Sequence, residues 1–167
     1  MADTGSICPD GAVTAATLPE SAGESLAVID LVLVVNKEPH ETIAKCSLAI
    51  EKDGKVLCVK SKGKDKYFIP GGKPEPGETL EQALTRELKE ELSIDLQQDT
   101  ICHRFSITDK AFGFENTELT MHCFSAGFSG DIITAAEIES LDWIDMVGII
   151  KCAPAAQQAI ARLLGDH

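Results

Sequence analysis

The stretch Gly72-Lys-Pro-Glu-Pro-Gly-Glu78-Thr-Leu-Glu-Gln-Ala-Leu-Thr-Arg86-Glu-Leu-Lys-Glu-Glu-Leu-Ser-Ile94 decides how this chain is read. Its first part, with Pro70, Gly71 and Gly72 before it, is too rich in Pro and Gly for regular structure. Thr79 then offers a helix N-cap, and Gln82 completes a capping box. Leu80, Leu84, Leu88 and Leu92 recur every four residues, so a helix over Leu80–Leu92 carries one buried stripe. Beside that stripe stand Glu87, Glu90 and Glu91, spaced i, i+3, i+4, three carboxylates on one helical face. Like charges at this spacing repel by roughly 0.2–0.5 kcal/mol per pair in water, and by more when desolvated. A hard divalent cation turns that repulsion into coordination, and Mg²⁺ commonly bridges carboxylates to substrate phosphates. The plainer reading of the same residues is a solvated acidic face, with Lys89 and Arg86 as ion-pair partners.

The loop in front of the helix favours the first reading. Gly72, Glu78, Arg86, Glu87, Leu88, Glu90, Glu91 and Ile94 occupy the fixed positions of the pattern Gly-x5-Glu-x7-Arg-Glu-U-x-Glu-Glu-x-Gly-U, where U is aliphatic, so the segment resembles the Nudix box. One position departs: Ser93 stands where the family has Gly. That residue closes the helix, where a left-handed backbone favours Gly, so the departure bears on the helix end and not on the carboxylates. The approach Tyr67-Phe-Ile-Pro-Gly-Gly-Lys73 is similar to the family's strand-to-loop entry.

The resemblance implies an α/β fold, the Nudix-type α/β/α sandwich with a mixed β-sheet. It implies hydrolysis of a nucleoside diphosphate linked to another moiety, with Mg²⁺ or Mn²⁺ as cofactor. By motif position, Glu87, Glu90 and Glu91 are the expected metal ligands, with the carbonyl of Gly71 or Gly72 as a further one. Arg86 holds the catalytic glutamates in place. Glu78 orients the helix and reaches a metal through water. Family members often use a further glutamate from a later loop, and Ala136-Glu137-Ile-Glu139-Ser-Leu-Asp-Trp143 is similar to the segment that supplies it. Glu137 is the first candidate and Glu139 the second.

The remaining ligand contacts are read from residue chemistry. Lys73 and the loop lysines Lys60, Lys62, Lys64 and Lys66 suit phosphates as point charges, or balance an acidic protein as a solvated loop. Tyr67, Phe112 and Phe114 can stack on a base, with core packing as the alternative, and Asn116 offers edge hydrogen bonds. There is no downstream Pro or Tyr placed as in the ADP-ribose or dinucleoside-polyphosphate groups, and no coenzyme A signature. The chain is most similar to the MutT-like group, which converts a nucleoside triphosphate to the monophosphate and pyrophosphate. The competing readings are an ADP-ribose or nucleotide-sugar pyrophosphatase, a nucleotide sensor without turnover, and an isomerase of isoprenoid diphosphates.

Around this centre, 167 residues suit one domain with a tail. Residues 1–25, rich in Ala, Thr, Ser, Gly and Pro, read as a flexible tail. Residues 26–40 read as an extension with an extra strand over Leu26–Val35, and residues 41–167 as the Nudix domain. Within it, Ala44–Ile50 and Lys55–Lys60 flank a hairpin through Asp53-Gly54. Ile101–Thr108, Glu118–Ser125 and Leu141–Met146 read as strands, and Pro154 opens a final helix through Leu164. The net charge of −12 argues against adhesion to double-stranded nucleic acid or an anionic membrane, which favour basic surfaces. A small phosphorylated substrate delivered with its cation escapes that exclusion. The six cysteines form no CxxC pair, and Cys46, Cys58 and Cys123 lie in apolar runs, as expected for reduced core thiols of a cytoplasmic protein. No Lys or Arg precedes Lys37, so no charged leader is expected. The run Leu26–Val35 is too short to cross a bilayer. No sequence signal fixes an oligomeric state.

Overall fold

The computed structural model describes residues 41–135 and 137–165. The expected tail over 1–25, the extension over 26–40, the strand over Leu26–Val35 and Cys8 lie outside these residues.

Strand β1 (Glu41–Leu48) alternates its side chains between two faces, and this parity organises the domain. Cys46 and Leu48 point into one apolar cluster, shared with Leu84, Leu88 and Leu92. Ala49, just beyond the strand, belongs to the other, shared with Met121, Ala156 and Ile160. The first cluster lies under helix α1 (Leu80–Leu92) and the second under helix α2 (Pro154–Gly165). The sheet between them is the middle layer of an α/β/α sandwich, as expected.

That sheet has the order β4-β1-β7-β6, with β4 (Gly71–Gly72), β6 (Cys102–Lys110) and β7 (Thr117–Ser125). It is mixed: β1 runs parallel to β7, while β4 pairs with β1 and β6 with β7 in antiparallel fashion. A second sheet holds β2 (Glu51–Lys52), β3 (Lys55–Ser61) and β9 (Ile138–Ile144). A small ladder joins β5 (Asp95–Leu96) to β8 (Phe128–Ser129).

The local signals explain these elements. Asp53 and Gly54 have φ of 52° and 70°, both left-handed, which matches the twist of a two-residue hairpin between β2 and β3. The α1 bounds are those the leucine spacing predicts. Thr79 Oγ1 accepts the Gln82 N–H at 3.1 Å, and Gln82 Oε1 accepts the Thr79 N–H at 2.9 Å. Ser93 ends the helix at φ 60°, ψ 22°, so it adopts the left-handed backbone its family favours Gly for, and its N–H bonds the Lys89 carbonyl. Cys46, Cys58, Cys123 and Cys152 are buried free thiols, as the apolar runs around the first three imply.

Several strand bounds differ from the sequence reading, most of all those of β1 and β9. β1 starts at Glu41 instead of Ala44, because its pairing with β7 begins at Glu41 opposite Thr117. β9 runs Ile138–Ile144 instead of Leu141–Met146. Its start is set by the ladder to Ser61. Its end is set by Asp145, whose Oδ1 accepts the Val147 and Gly148 N–H groups and turns the chain away. Among the described residues, no helix is long and apolar enough to cross a membrane.

A left-handed backbone costs a non-glycine residue about 1–2 kcal/mol, of which Gly gives back part through its looser unfolded state. Ser93→Gly is therefore expected to raise stability by up to about 1 kcal/mol, as an increased urea midpoint at unchanged slope. An unchanged or lower midpoint would show that Ser93 is unstrained there.

Candidate active site

The site is assembled where the two-residue strand β4 passes beneath the last two turns of α1. Gly71 has φ 142°, and a Cβ there would collide with the Cys46 carbonyl oxygen. A Cβ on Gly72 would collide with the Glu87 carboxylate. Bare backbone at both positions lets β4 come within bonding distance of the helix. The Gly71 N–H donates to Glu91 Oε2 at 2.9 Å. The Gly72 carbonyl accepts the Cys46 thiol at 3.3 Å.

Arg86 is the hub on the other side. Its Nε and Nη2 donate to both oxygens of Glu78, at 2.9 and 2.8 Å, the bidentate geometry a guanidinium favours. Its Nη1 donates to Glu87 Oε1 at 2.9 Å and stands 3.7 Å from Glu90. Its Nη2 also reaches the Lys73 carbonyl at 3.2 Å. The Arg86 guanidinium, and then the Glu75 N–H at 2.8 Å, hold the Glu78 carboxyl down at about 2. Loop and helix are thus locked together through one cation.

The three helix carboxylates have unequal surroundings. Glu87 is held by Arg86, and Glu90 is more than half exposed with only the 3.7 Å approach to Arg86. Glu91 is 8% exposed. Burial pushes its carboxyl up to about 7, against the opposing pull of the Gly71 N–H and the Lys45 ammonium, while the charges of Glu87 and Glu137 push it further up. Among the described residues, no three His, Cys, Asp or Glu side chains converge into a closed metal-ligand cluster. The acids share a face, as the spacing predicts, but Arg86 draws Glu87 one way and Gly71 holds Glu91 the other.

Of the later acids, Glu137 is close enough to act on Glu91 electrostatically. The loop before it is pinned to the helix end: the Ile133 N–H donates to the Leu92 carbonyl at 2.9 Å, and the Ala135 N–H to the Glu91 carbonyl at 3.0 Å. Glu139 instead pairs with Lys60 at 3.4 Å on the second sheet.

A cleft of about 190 Å³ opens beside this centre, between the main sheet and α2. Lys73, Phe112 and Phe114 line it, with the Lys73 ammonium 5.9 Å from the Phe114 ring centre. Lys64 lines it as well, alone among the loop lysines. Two of the expected contacts are not brought there. Tyr67 is absent from the lining: its hydroxyl lies 3.2 Å from Ser140 Oγ, and its ring packs on the core. Asn116 lines a neighbouring recess with Glu115 and Thr117. The sequence reading missed Lys45, whose signal was a single cation inside the apolar alternation of β1, and it missed the pinning of the 133–135 loop, which has no sequence signal.

The NUDIX domain model matches residues 41–163, and the chain belongs to that family. A segment of 64 residues, 36% of this chain, is 39% identical to an ADP-ribose pyrophosphatase of Methanocaldococcus jannaschii. A segment of 43 residues, 23% of this chain, is 58% identical to an 8-oxo-dGTP diphosphatase of Proteus vulgaris. Each match spans 38% of the relative's own length. Among solved structures, the E. coli ORF135 protein is 27% identical with a TM-score of 0.60, over 75% of this chain and 90% of that one. The MutT NUDIX hydrolase from Burkholderia pseudomallei shares the fold at 23% identity and a TM-score of 0.61, over 74% and 98% of the two chains.

The raised Glu91 carboxyl has a thermodynamic consequence. From its ordinary value of 4.5 up to about 7, the folded chain holds a proton on Glu91 that the unfolded chain has released. Stability from this group is therefore full below about pH 4.5 and is lost as pH rises to about 7. In chelator, urea unfolding of the wild type is expected to weaken across that window relative to Glu91→Gln. Parallel profiles for the two proteins would show that Glu91 titrates normally.

Proposed function

We propose that this chain is a divalent-metal-dependent pyrophosphohydrolase that cleaves the diphosphate linkage of a nucleoside triphosphate, releasing the monophosphate and pyrophosphate. One juxtaposition carries the reading. Glu78, Glu87, Glu90 and Glu91 gather at β4, and the adjoining cleft is lined by lysines and phenylalanines. An acidic centre next to a basic, aromatic cleft suits a nucleotide whose phosphates arrive with a cation.

The residues fit a hard divalent ion such as Mg²⁺ or Mn²⁺. Among the described residues Glu91 is a buried carboxyl with no cation bonded to it, and the lack of a side chain at Gly72 lets the Glu87 carboxylate lie directly against β4. Glu87, Glu90 and Glu91 would hold the ion, with Glu137 and the carbonyl of Gly71 or Gly72 as further donors. When bound, the ion supplies charge neutralisation on the diphosphate and an activated water. The chain does the positioning: Arg86 fixes Glu87, the Gly71 N–H fixes Glu91, and the pinned loop presents Glu137. Lys73 projects from the loop that Arg86 anchors and is placed to receive phosphate charge. Phe112 and Phe114 offer faces to the base.

The small cleft favours this substrate. Its volume of about 190 Å³ lies below the roughly 300–1,000 Å³ of pockets that enclose whole drug-sized ligands, and suits one ring system. The similarity to the Methanocaldococcus ADP-ribose pyrophosphatase makes ADP-ribose the second substrate to test. Intact box acids speak against a sensor without turnover. Small-molecule chemistry, free buried thiols and the acidic balance together suit a cytoplasmic enzyme.

A product-resolved screen over nucleoside triphosphates, oxidised nucleotides, ADP-ribose, dinucleoside polyphosphates and capped RNA ends tests the substrate. Glu90→Gln tests the chemistry. Glu90 makes only the long approach to Arg86, so its removal spares the Glu78–Arg86–Glu87 network. We expect Mg²⁺-dependent turnover to fall about a hundredfold or more with the unfolding midpoint unchanged. Equal turnover in the two proteins sinks the assignment of Glu90.

A further inference from the structure

The segment Thr42-Ile-Ala-Lys45-Cys-Ser-Leu-Ala-Ile50 carries a single charge, Lys45. On β1 it stands in register with Met121 of β7, and both line the cleft together with Phe68, Phe112 and Ala155. Its ammonium reaches the Ile69 carbonyl at 3.4 Å and lies 5.4 Å from the centre of the Phe68 ring. Among the described residues it makes no ion pair. An ammonium has three N–H donors, and one long carbonyl contact uses one of them weakly. A lysine withdrawn from water among apolar side chains is costly unless its donors are used. Burial accordingly pushes it below the ordinary lysine range, with Glu91 the leading charge that opposes this.

The rest of the lining sharpens the point. Among the described residues, every polar side chain around the cleft is a lysine: Lys45, Lys64, Lys73 and Lys110. None of the described lining residues carries a carboxylate, amide or hydroxyl side chain. Ammonium groups donate and never accept. Lys64, Lys73 and Lys110 are exposed at the rim, while Lys45 is half-buried against Phe68 and Ile69. A base edge that presents an amino group brings donor against donor here. An edge that presents a carbonyl oxygen gives the unused Lys45 donors their acceptor.

Resting on the nucleotide-hydrolase reading, we propose that Lys45 is a specificity-determining residue that donates to a carbonyl oxygen of the base, selecting 6-oxo purine nucleotides over their 6-amino counterparts. Phosphate contact falls to Lys73 at the anchored loop, and base contact to Lys45 among the rings.

The test compares inosine triphosphate with ATP, which differ at the purine 6-position. In wild type, kcat/KM is expected to favour inosine triphosphate by about tenfold or more, as for a hydrogen bond to a charged group. Lys45→Met, which keeps length and apolar fit, should bring the ratio to within about twofold of unity, and Lys45→Arg should retain the preference. A wild-type ratio near one overturns the proposal. So does a Lys45→Met protein that loses rate on both substrates equally, because Lys45 then serves the phosphates. If no nucleotide is hydrolysed at all, the hydrolase reading fails by itself. Calorimetric binding of inosine and adenosine monophosphates then decides the cleft: tighter inosine monophosphate in wild type and not in Lys45→Met supports Lys45, and equal or absent binding overturns it.

Discussion

The contact on which the site depends is the passage of bare backbone at Gly71 and Gly72 against the carboxylates of α1. Neither position has room for a Cβ, one because of the Cys46 carbonyl and the other because of Glu87. That closeness brings a main-chain N–H to the buried Glu91. It also places the edge of the main sheet, through β1, within reach of the helix that carries the acids. A strand of two residues would be marginal by itself. Here it is held by the β1 ladder on one side and by helix side chains on the other.

Acidic residues gathered this closely repel, and two devices within the chain hold them. Arg86 binds Glu78 with a two-pronged contact and Glu87 with its remaining nitrogen, so one cation serves two carboxylates and the loop between them. Glu91 is relieved in a different way, by withdrawing from water until its proton is retained to near neutral pH. Glu90, the most exposed of the three, has water around it and only the 3.7 Å approach of Arg86. The net charge of −12 is therefore unevenly spent: part is concentrated around β4, and the neighbouring cleft carries the opposite sign.

The most legible parts of the sequence were those whose physics is local. The capping pair Thr79 and Gln82, the leucine spacing and the left-handed Ser93 lie within a few turns of one another, and α1 has the bounds they imply. The hairpin at Asp53-Gly54 is equally local. Glu87, Glu90 and Glu91 share the face their spacing implies and Arg86 holds Glu87 as the family resemblance implies, but the Gly71 anchor of Glu91 and the grip of Arg86 on Glu78 were not visible, because Gly71 and Glu78 approach through a loop whose path depends on β1. The starts of β1 and β9 were misjudged for the same reason: each is set by its partner, and Thr117 and Ser61 are distant in sequence. Of the two roles open to Tyr67, stacking on a base or packing in the core, the ring takes the second. Its hydroxyl is taken by Ser140, across the second sheet. Lys45 was overlooked because a lone lysine in a strand acquires meaning only when the opposite wall of a cleft is known.

The parity of β1 divides labour within a single strand. Cys46 and Leu48 fasten the helix that bears the acids, while Ile43 and Lys45, on the alternate positions, furnish the wall of the cleft. None of the cleft's described lining residues is a box carboxylate, and Phe112, Phe114 and the α2 alanines come from segments remote from the box. Single replacements at Ile43 or Lys45 can therefore reshape the cleft wall while leaving the side chains that fasten α1 in place.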